Sequence, residues 1–354
     1  MFYSIQGLRA VAALLVVAHH YNETLIWLAQ NKYAEPTQTM TIGNLSYFGG
    51  IGVPIFFAIS GFIMGIRVNV EGGPYDFLAR RVARIVPIYW TMTVATVLFH
   101  PNWTWPQLLA SMGFVRYVSG MGHAVIGPGW TLEFEMVFYL AMTLVFLVLL
   151  AGRPAWQSVV ALTAIFAAMA IAGLVIGKGA PPILSPILLE FCAGLLIAQI
   201  YRIEGVRRLW PLFLSTALIL IGVAVFAPVS WTYMRPIWSI LSFFLMLGLV
   251  TAEQSGVAPM SSAPFQVLGN ASYSIYVSHR FVQFVLFTPL LWSWSFHTVL
   301  HPDIALLLMI VIATVFGVGL HYMVERPLNA WVLGALRRRK PTGATAAEVR
   351  TGTP

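Results

Sequence analysis

The sequence predicts an all-α polytopic membrane protein of about ten transmembrane helices, with both termini in the cytoplasm. Three observations predict it. Of 354 residues, 59% are hydrophobic and only 9% are charged, against about 25% charged in an ordinary soluble domain. A chain of mean hydropathy +0.81 lacks the polar surface to face water, so lipid is its solvent. Apolar runs near the roughly 17–25 residues that a helix needs to cross a bilayer recur along the chain. The basic residues fall between those runs with a one-sided bias. Lipid gives backbone N–H and C=O groups no partner, so the spans are helices.

Taken in order, the apolar runs cover 7–27, 48–66, 82–99, 132–150 and 158–176, then 182–200, 210–226, 237–251, 267–290 and 304–323. A few are short and imply tilt or local thinning of the bilayer. The first run superficially resembles a secretory leader. It lacks a small-residue cleavage site and holds Arg9 within its apolar stretch, so it reads as a retained span. With the N-terminus inside, the inner connections hold Arg67, Arg80, Arg81, Arg84, Arg153, Arg202, Arg207, Arg208 and Arg326. The outer side holds only Lys32, Arg116, Lys178 and Arg235, the asymmetry expected of cytoplasmic loops. The longest outer connection, 100–131, carries Trp103, Trp105 and Trp130, which suit the headgroup level. Pro106 starts a short interfacial helix there, through Tyr117. Residues 1–336 read as one membrane domain. Residues 337–354 read as a basic tail too poor in apolar residues to order itself.

The formal charge of +8 is spread over loops and tail rather than gathered for nucleic acid. The lone Cys192 lies in an apolar run and reads as a small buried hydrophobe. His19 and His20 are adjacent and no HExxH-type spacing occurs, so neither a metal nor a resident cofactor is expected. Nothing in the pattern signals an oligomeric state.

Ionisable side chains inside spans are costly, and each needs a reason. Along an α-helix eleven residues advance about 1100° and rise about 16 Å, so Arg9 and His20 share a face. His19 points about 100° away. Taken singly, Arg9 fits a snorkelling anchor and His20 an interhelical hydrogen bond. In the second span, GVPIFFAISGF, Ser60 and Gly61 fit close helix packing, and nothing local supplies a base that would make Ser60 a nucleophile. Arg80, Arg81 and Arg84 stand at the inner mouth of the third span. They suit topology and anionic lipid, or a clamp on phosphate groups. Glu133 and Glu135, two apart, cannot share a face, so one of them can turn inward as an acid or an orienting group. Ser272, Tyr276 and His279 line one face of the ninth span, either as a polar packing seam or as part of a site. Two function classes follow: an enzyme working within the bilayer, or a secondary transporter with a proton or anion pathway. The chain shows no inverted repeat of the transporter kind.

Six segments in order resemble the motifs of the acyltransferase-3 family of bacterial membrane O-acyltransferases. IQGLRAVAALLVVAHH is similar to its arginine–ten residues–histidine signature at Arg9 and His20. GVPIFFAISGF resembles its second-span motif, with Pro54 where an aspartate is common. ARRVARIVPIYW carries the paired arginines at Arg81 and Arg84. GWTLEFEMVFY points to Glu135, LGNASYSIYVSH to His279 and YMVERP to Glu325. The first and fourth are most similar to the exopolysaccharide-production branch. The resemblance implies a ten-helix protein of the bacterial inner membrane. It implies transfer of an acyl group, usually acetyl, from cytoplasmic acyl-CoA to a hydroxyl of an outer polysaccharide or lipid-linked sugar. Some relatives carry an added hydrolase-like outer domain, and this chain is expected to work without one. On that footing Arg81, Arg84 and Arg9 hold the phosphates of acetyl-CoA and His20 acts as general base. Glu135 orients its imidazole, and Ser60, Tyr276 and His279 support the substrates. A transient acyl-histidine is the variant route.

Overall fold

The computed structural model describes residues 2–33, 49–67, 74–100, 102–149, 151–226, 231–293 and 300–338. Every regular element among them is helical. In chain order they are α1 (Tyr3–Leu28), α2 (Gly52–Arg67), α3 (Pro74–Phe99), α4 (Trp105–Met112), α5 (Gly129–Met142), α6 (Ala155–Ile176) and α7 (Leu188–Ile200). There follow α8 (Glu204–Arg208), α9 (Trp210–Phe226), α10 (Trp231–Gln254), α11 (Ala263–Val282), α12 (Thr288–Ser293), α13 (Pro302–Leu320) and α14 (Arg326–Arg338). Wider π-helical turns extend α1, α5, α11 and α13, at Ala29–Tyr33, Thr143–Leu149, Gln283–Phe287 and His321–Glu325. Such turns rotate the side chains that follow them and recur at functional positions.

A helix stands at each expected apolar segment, and six of them are long and apolar enough to cross a membrane. These include α2, α3, α6, α10, α5 with its π turn, and α13 with its continuation. α7 and α9 are apolar but shorter, at 13 and 17 residues. α1 and α11 stand apart because of what they carry. Most residues of both are buried, including Arg9, Tyr21 and Asn22 on α1 and Ser274, Ser278 and His279 on α11. Neighbouring helices replace lipid around them, so they need not be apolar.

The two polar helices pack on each other, and α13 covers α11. α2 lies against both α1 and α7. A Cβ at Gly61 would meet the carbonyl of Phe191, and one at Gly194 the carbonyl of Ala58. These glycines let α2 and α7 approach backbone to backbone, the packing that small residues allow. Phe57 and Phe138 then stack on the two sides of Phe191, at 4.3 and 4.4 Å between centroids. On the connection 100–131, the short helix α4 stands where an interfacial helix is expected, and it ends before Tyr117. The backbone N–H of Thr104 donates to Gln107 Oε1 at 3.1 Å to start it, and Gly113 follows its last turn. Trp105 is 76% exposed, as an interfacial anchor should be. At the other end of the chain, helix α14 runs into the predicted tail. Residues 339–354 of that tail lie outside the described residues.

Candidate active site

Three levels of polar structure follow one another through the core. The first is a cavity of about 580 Å³ where α3, the end of α13 and α14 meet the start of α1. Arg80, Arg81 and Arg84 of α3 line it with Arg67, Arg326 and Arg9. Arg81 is buried with its guanidinium 5.4 Å from the centre of the Phe77 ring. One turn before Arg9, Gln6 accepts from Arg9 Nη1 at 3.1 Å and donates to Asn270 Oδ1. Glu325 faces the same space from the π turn, where its Oε2 accepts from Ser274 Oγ at 2.6 Å and lies 2.8 Å from His321 Nδ1. Arg84, Glu325 and Glu135 are all close enough to Arg9 to act on it electrostatically.

The second level is narrow, about 80 Å³, and shares Arg9 and Arg84 with the first. Phe56, Phe57, Ile59 and Leu132 wall it. Its polar groups come in two pairs. Glu135 Oε1 accepts from Ser60 Oγ at 2.8 Å and from the Tyr139 hydroxyl, one turn along α5. Further on, the Thr131 and Tyr276 hydroxyls meet at 2.8 Å.

The third level begins one turn of α11 beyond Tyr276. His279 Nδ1 lies 2.6 Å from the Tyr276 carbonyl, and its Nε2 lies 3.1 Å from His20 Nδ1. His20 Nδ1 is also 3.0 Å from the Val16 carbonyl. A carbonyl only accepts, so His279 carries its proton on Nδ1, and Nε2 of the neutral ring is an acceptor. His20 Nδ1 therefore donates, to His279 and to Val16. That leaves His20 Nε2 with its lone pair open, the nitrogen a general base needs.

These contacts decide between the sequence-based expectations. Arg9, Ser60, Arg84, Glu135 and Tyr276 share the narrow cavity. Arg81 lines only the wide one. His20 and His279 sit together, but Glu135 does not orient His20. Its hydrogen bonds go to Ser60 and Tyr139, and the imidazole's partner is His279. His19 points elsewhere, as the helical wheel requires, and its Nε2 lies 3.4 Å from Glu23. Glu133 is the structural one of the two glutamates. Fully buried, its Oε2 accepts from the backbone N–H groups of Tyr117 and Val118 at 2.7 and 3.0 Å and so fastens the outer connection. Ser272 donates to the Gly269 carbonyl at 2.8 Å and is a packing residue. Residues not singled out from sequence also enter the site: Gln6 and Tyr139 had a helical-spacing signal, at i−3 from Arg9 and i+4 from Glu135. Thr131 and His321 had one too, at i−4 from Glu135 and from Glu325, whereas Asn270 had none.

The family model that matches this chain, an acyltransferase domain, covers residues 2–324. The chain belongs to this acyltransferase family. It is 34% identical over 317 residues to the exopolysaccharide production protein ExoZ of Rhizobium meliloti, covering 84% of this chain and 93% of the relative. It is 27% identical to the acyltransferase MdmB of Streptomyces mycarofaciens, over 98% of this chain and 95% of the relative. No solved structure matches. As a member of this family the protein is an O-acyltransferase enzyme, and its apolar helices make it a multi-pass membrane protein.

Proposed function

We propose that this enzyme moves an acetyl group from cytoplasmic acetyl-CoA to a hydroxyl of an extracytoplasmic or lipid-linked sugar, with His20 as general base. The observation that carries the reading is the succession of levels: a wide arginine-lined cavity, a narrow passage entered between Arg9 and Arg84, and an open imidazole nitrogen beyond it. In this reading ten helices cross the bacterial inner membrane with both termini inside, and the arginine cavity opens to the cytoplasm. Phosphates need multiple guanidinium donors and cannot enter lipid. They stay on Arg81, Arg84 and Arg9, while the pantetheine arm runs past Ser60, Glu135 and Tyr276. The ~16 Å rise from Arg9 to His20 suits the reach of that arm.

In the transfer step His20 Nε2 takes the proton of the sugar hydroxyl as its oxygen attacks the thioester carbonyl. The C–O bond forms, the C–S bond breaks, and the CoA thiolate leaves with the proton from the imidazolium. His279 acts as a positioning residue, holding the His20 ring in the tautomer that leaves Nε2 free. The relative named for exopolysaccharide production supports a polysaccharide acceptor here.

The test is thiol release from acetyl-CoA by purified protein in lipid vesicles, with extracted cell-surface polysaccharide as acceptor. Wild type and His19→Ala are expected to release thiol and His20→Ala not to. Normal turnover by His20→Ala removes the general base from this scheme.

A further inference from the structure

A second charged cavity lies off the path just described. It stands at the opposite end of α2 from the arginine cavity: Pro54 lines the one and Arg67 the other, and thirteen residues of helix separate them by about 20 Å. Residues on one side of α2, Val53, Phe57 and Ser60, line the narrow passage. Pro54 and Ala58, on another side, line this cavity of about 400 Å³. Its remaining walls are residues of 186–193 and one side of α10.

Two opposite charges face this space without forming an ion pair. Glu190, in the first turn of α7, is 7% exposed. Its Oε1 accepts from Ser239 Oγ at 2.8 Å. Its Oε2 is buried without a hydrogen-bond partner, an expensive arrangement for a carboxylate. Glu190 lines the cavity, and rotation about its broad terminal torsion is the movement by which a ligand would reach this covered oxygen. Arg235, one turn before Ser239 on α10, is exposed. It acts on the carboxylate electrostatically, but among the described residues no ion pair within 4.0 Å joins the two. Nor is the site free to collapse, because Gly61 and Gly194 lock α7 against α2 at backbone distance.

A ligand that completes this site brings hydroxyl donors to Glu190, an anion to Arg235, and C–H surface to Pro54, Ala58, Ala193 and Pro236. A sugar unit with an acidic substituent has all three. We propose that this cavity is a second carbohydrate site, holding a unit of the acceptor other than the one being acylated. Hydroxyls bind Glu190 and the Ser239 side, and a carboxylate or phosphate substituent binds Arg235. The proposal rests on the reading that the acceptor is a carbohydrate, and it would give the enzyme a grip on the chain apart from the reacting hydroxyl.

The experiment is saturation-transfer NMR on the full chain in lipid nanodiscs, with D-glucuronate, glucose 1-phosphate and D-glucose as probes. Wild type is expected to bind the two acidic sugars more tightly than glucose. Glu190→Gln replaces a charged acceptor by a neutral one and is expected to weaken all three on the order of tenfold. Arg235→Gln is expected to abolish the preference for the acidic probes while leaving glucose unchanged. Whichever acidic probe binds better identifies the substituent. Thermal unfolding of each variant shows that it is folded, and Ser239→Ala gives a second, milder perturbation of the same carboxylate. Equal signals from wild type and all variants overturn the proposal, even if thiol release stands. The expected pattern without thiol release keeps the site and sinks the transfer reading.

Discussion

Helices α1 and α6 have similar lengths, 26 and 22 residues, and opposite surfaces. On α6 only Ser158, Val159, Leu162, Phe166 and Ala170 are buried, and Leu174 is 78% exposed. No side chain of α6 is ionisable. On α1 most residues are buried, and Arg9, His19 and His20 fall along it. The difference shows that a helix enclosed by other helices can carry charge along its length, which a helix as exposed as α6 does not. A hydropathy criterion finds α6 at once and passes over α1 and α11, although the histidine pair stands on those two.

That contrast can be broken at four points. The largest effect is expected at His20→Ala, with thiol release lower by about 10²–10⁴, the usual worth of a general base. His19→Ala, on the same helix but turned away, should match wild type. Next come Arg81→Ala and Arg84→Ala, which should raise the KM for acetyl-CoA roughly tenfold or more each, with Arg84 the larger because it lines both cavities. Steady-state kinetics against donor concentration checks them, and unchanged KM values would detach the arginine cavity from the donor. A third, structural effect concerns the seam between α2 and α7. Gly61→Val should lower stability by about 1–3 kcal/mol, the usual penalty for overpacking. A lower midpoint of thermal unfolding in nanodiscs would show it. The smallest effect is expected on α6. Val175→Leu, on its exposed face, should stay within about 0.5 kcal/mol and keep full activity. A marked loss there would mean that α6 faces a partner and not lipid.

Much of the fold was legible because lipid imposes a simple pattern. Long apolar runs, the tryptophans of the outer connection and the arginines between runs all report on depth in a bilayer. The faces of α1 were legible too, since helical geometry alone separates His20 from His19. What could not be read was which helix stands opposite which. Periodicity shows that His279 and Tyr276 share a face, but not that His20, 259 positions away in sequence, meets it. For the same reason Glu135 was assigned to the wrong partner. Spacing showed that one of Glu133 and Glu135 can turn inward and the family resemblance picked Glu135, but the choice between His20 and Ser60 depends on the packing of α2 between α1 and α5. Glu190, a lone acid in the apolar run 182–200, was itself a signal that the sequence reading passed over, and its missing hydrogen bond is visible only in the structure.

The two cavities that share Arg9 and Arg84 in their linings, of about 580 and about 80 Å³, have a meaning for the cell as well as for the substrate. If the donor comes from one side of a membrane and the acceptor from the other, as proposed above, the reaction invites a leak between them. A wide water column through this core would let protons run down their gradient. Here the guanidiniums of Arg9 and Arg84 line both cavities, and like charge disfavours cations there. In the smaller cavity the hydroxyls of Thr131 and Tyr276 satisfy each other instead of ordering a chain of water. In the proposed reaction the boundary that the donor arm would cross would also serve as electrical insulation, so that chemistry could cross the bilayer while the ion gradient did not.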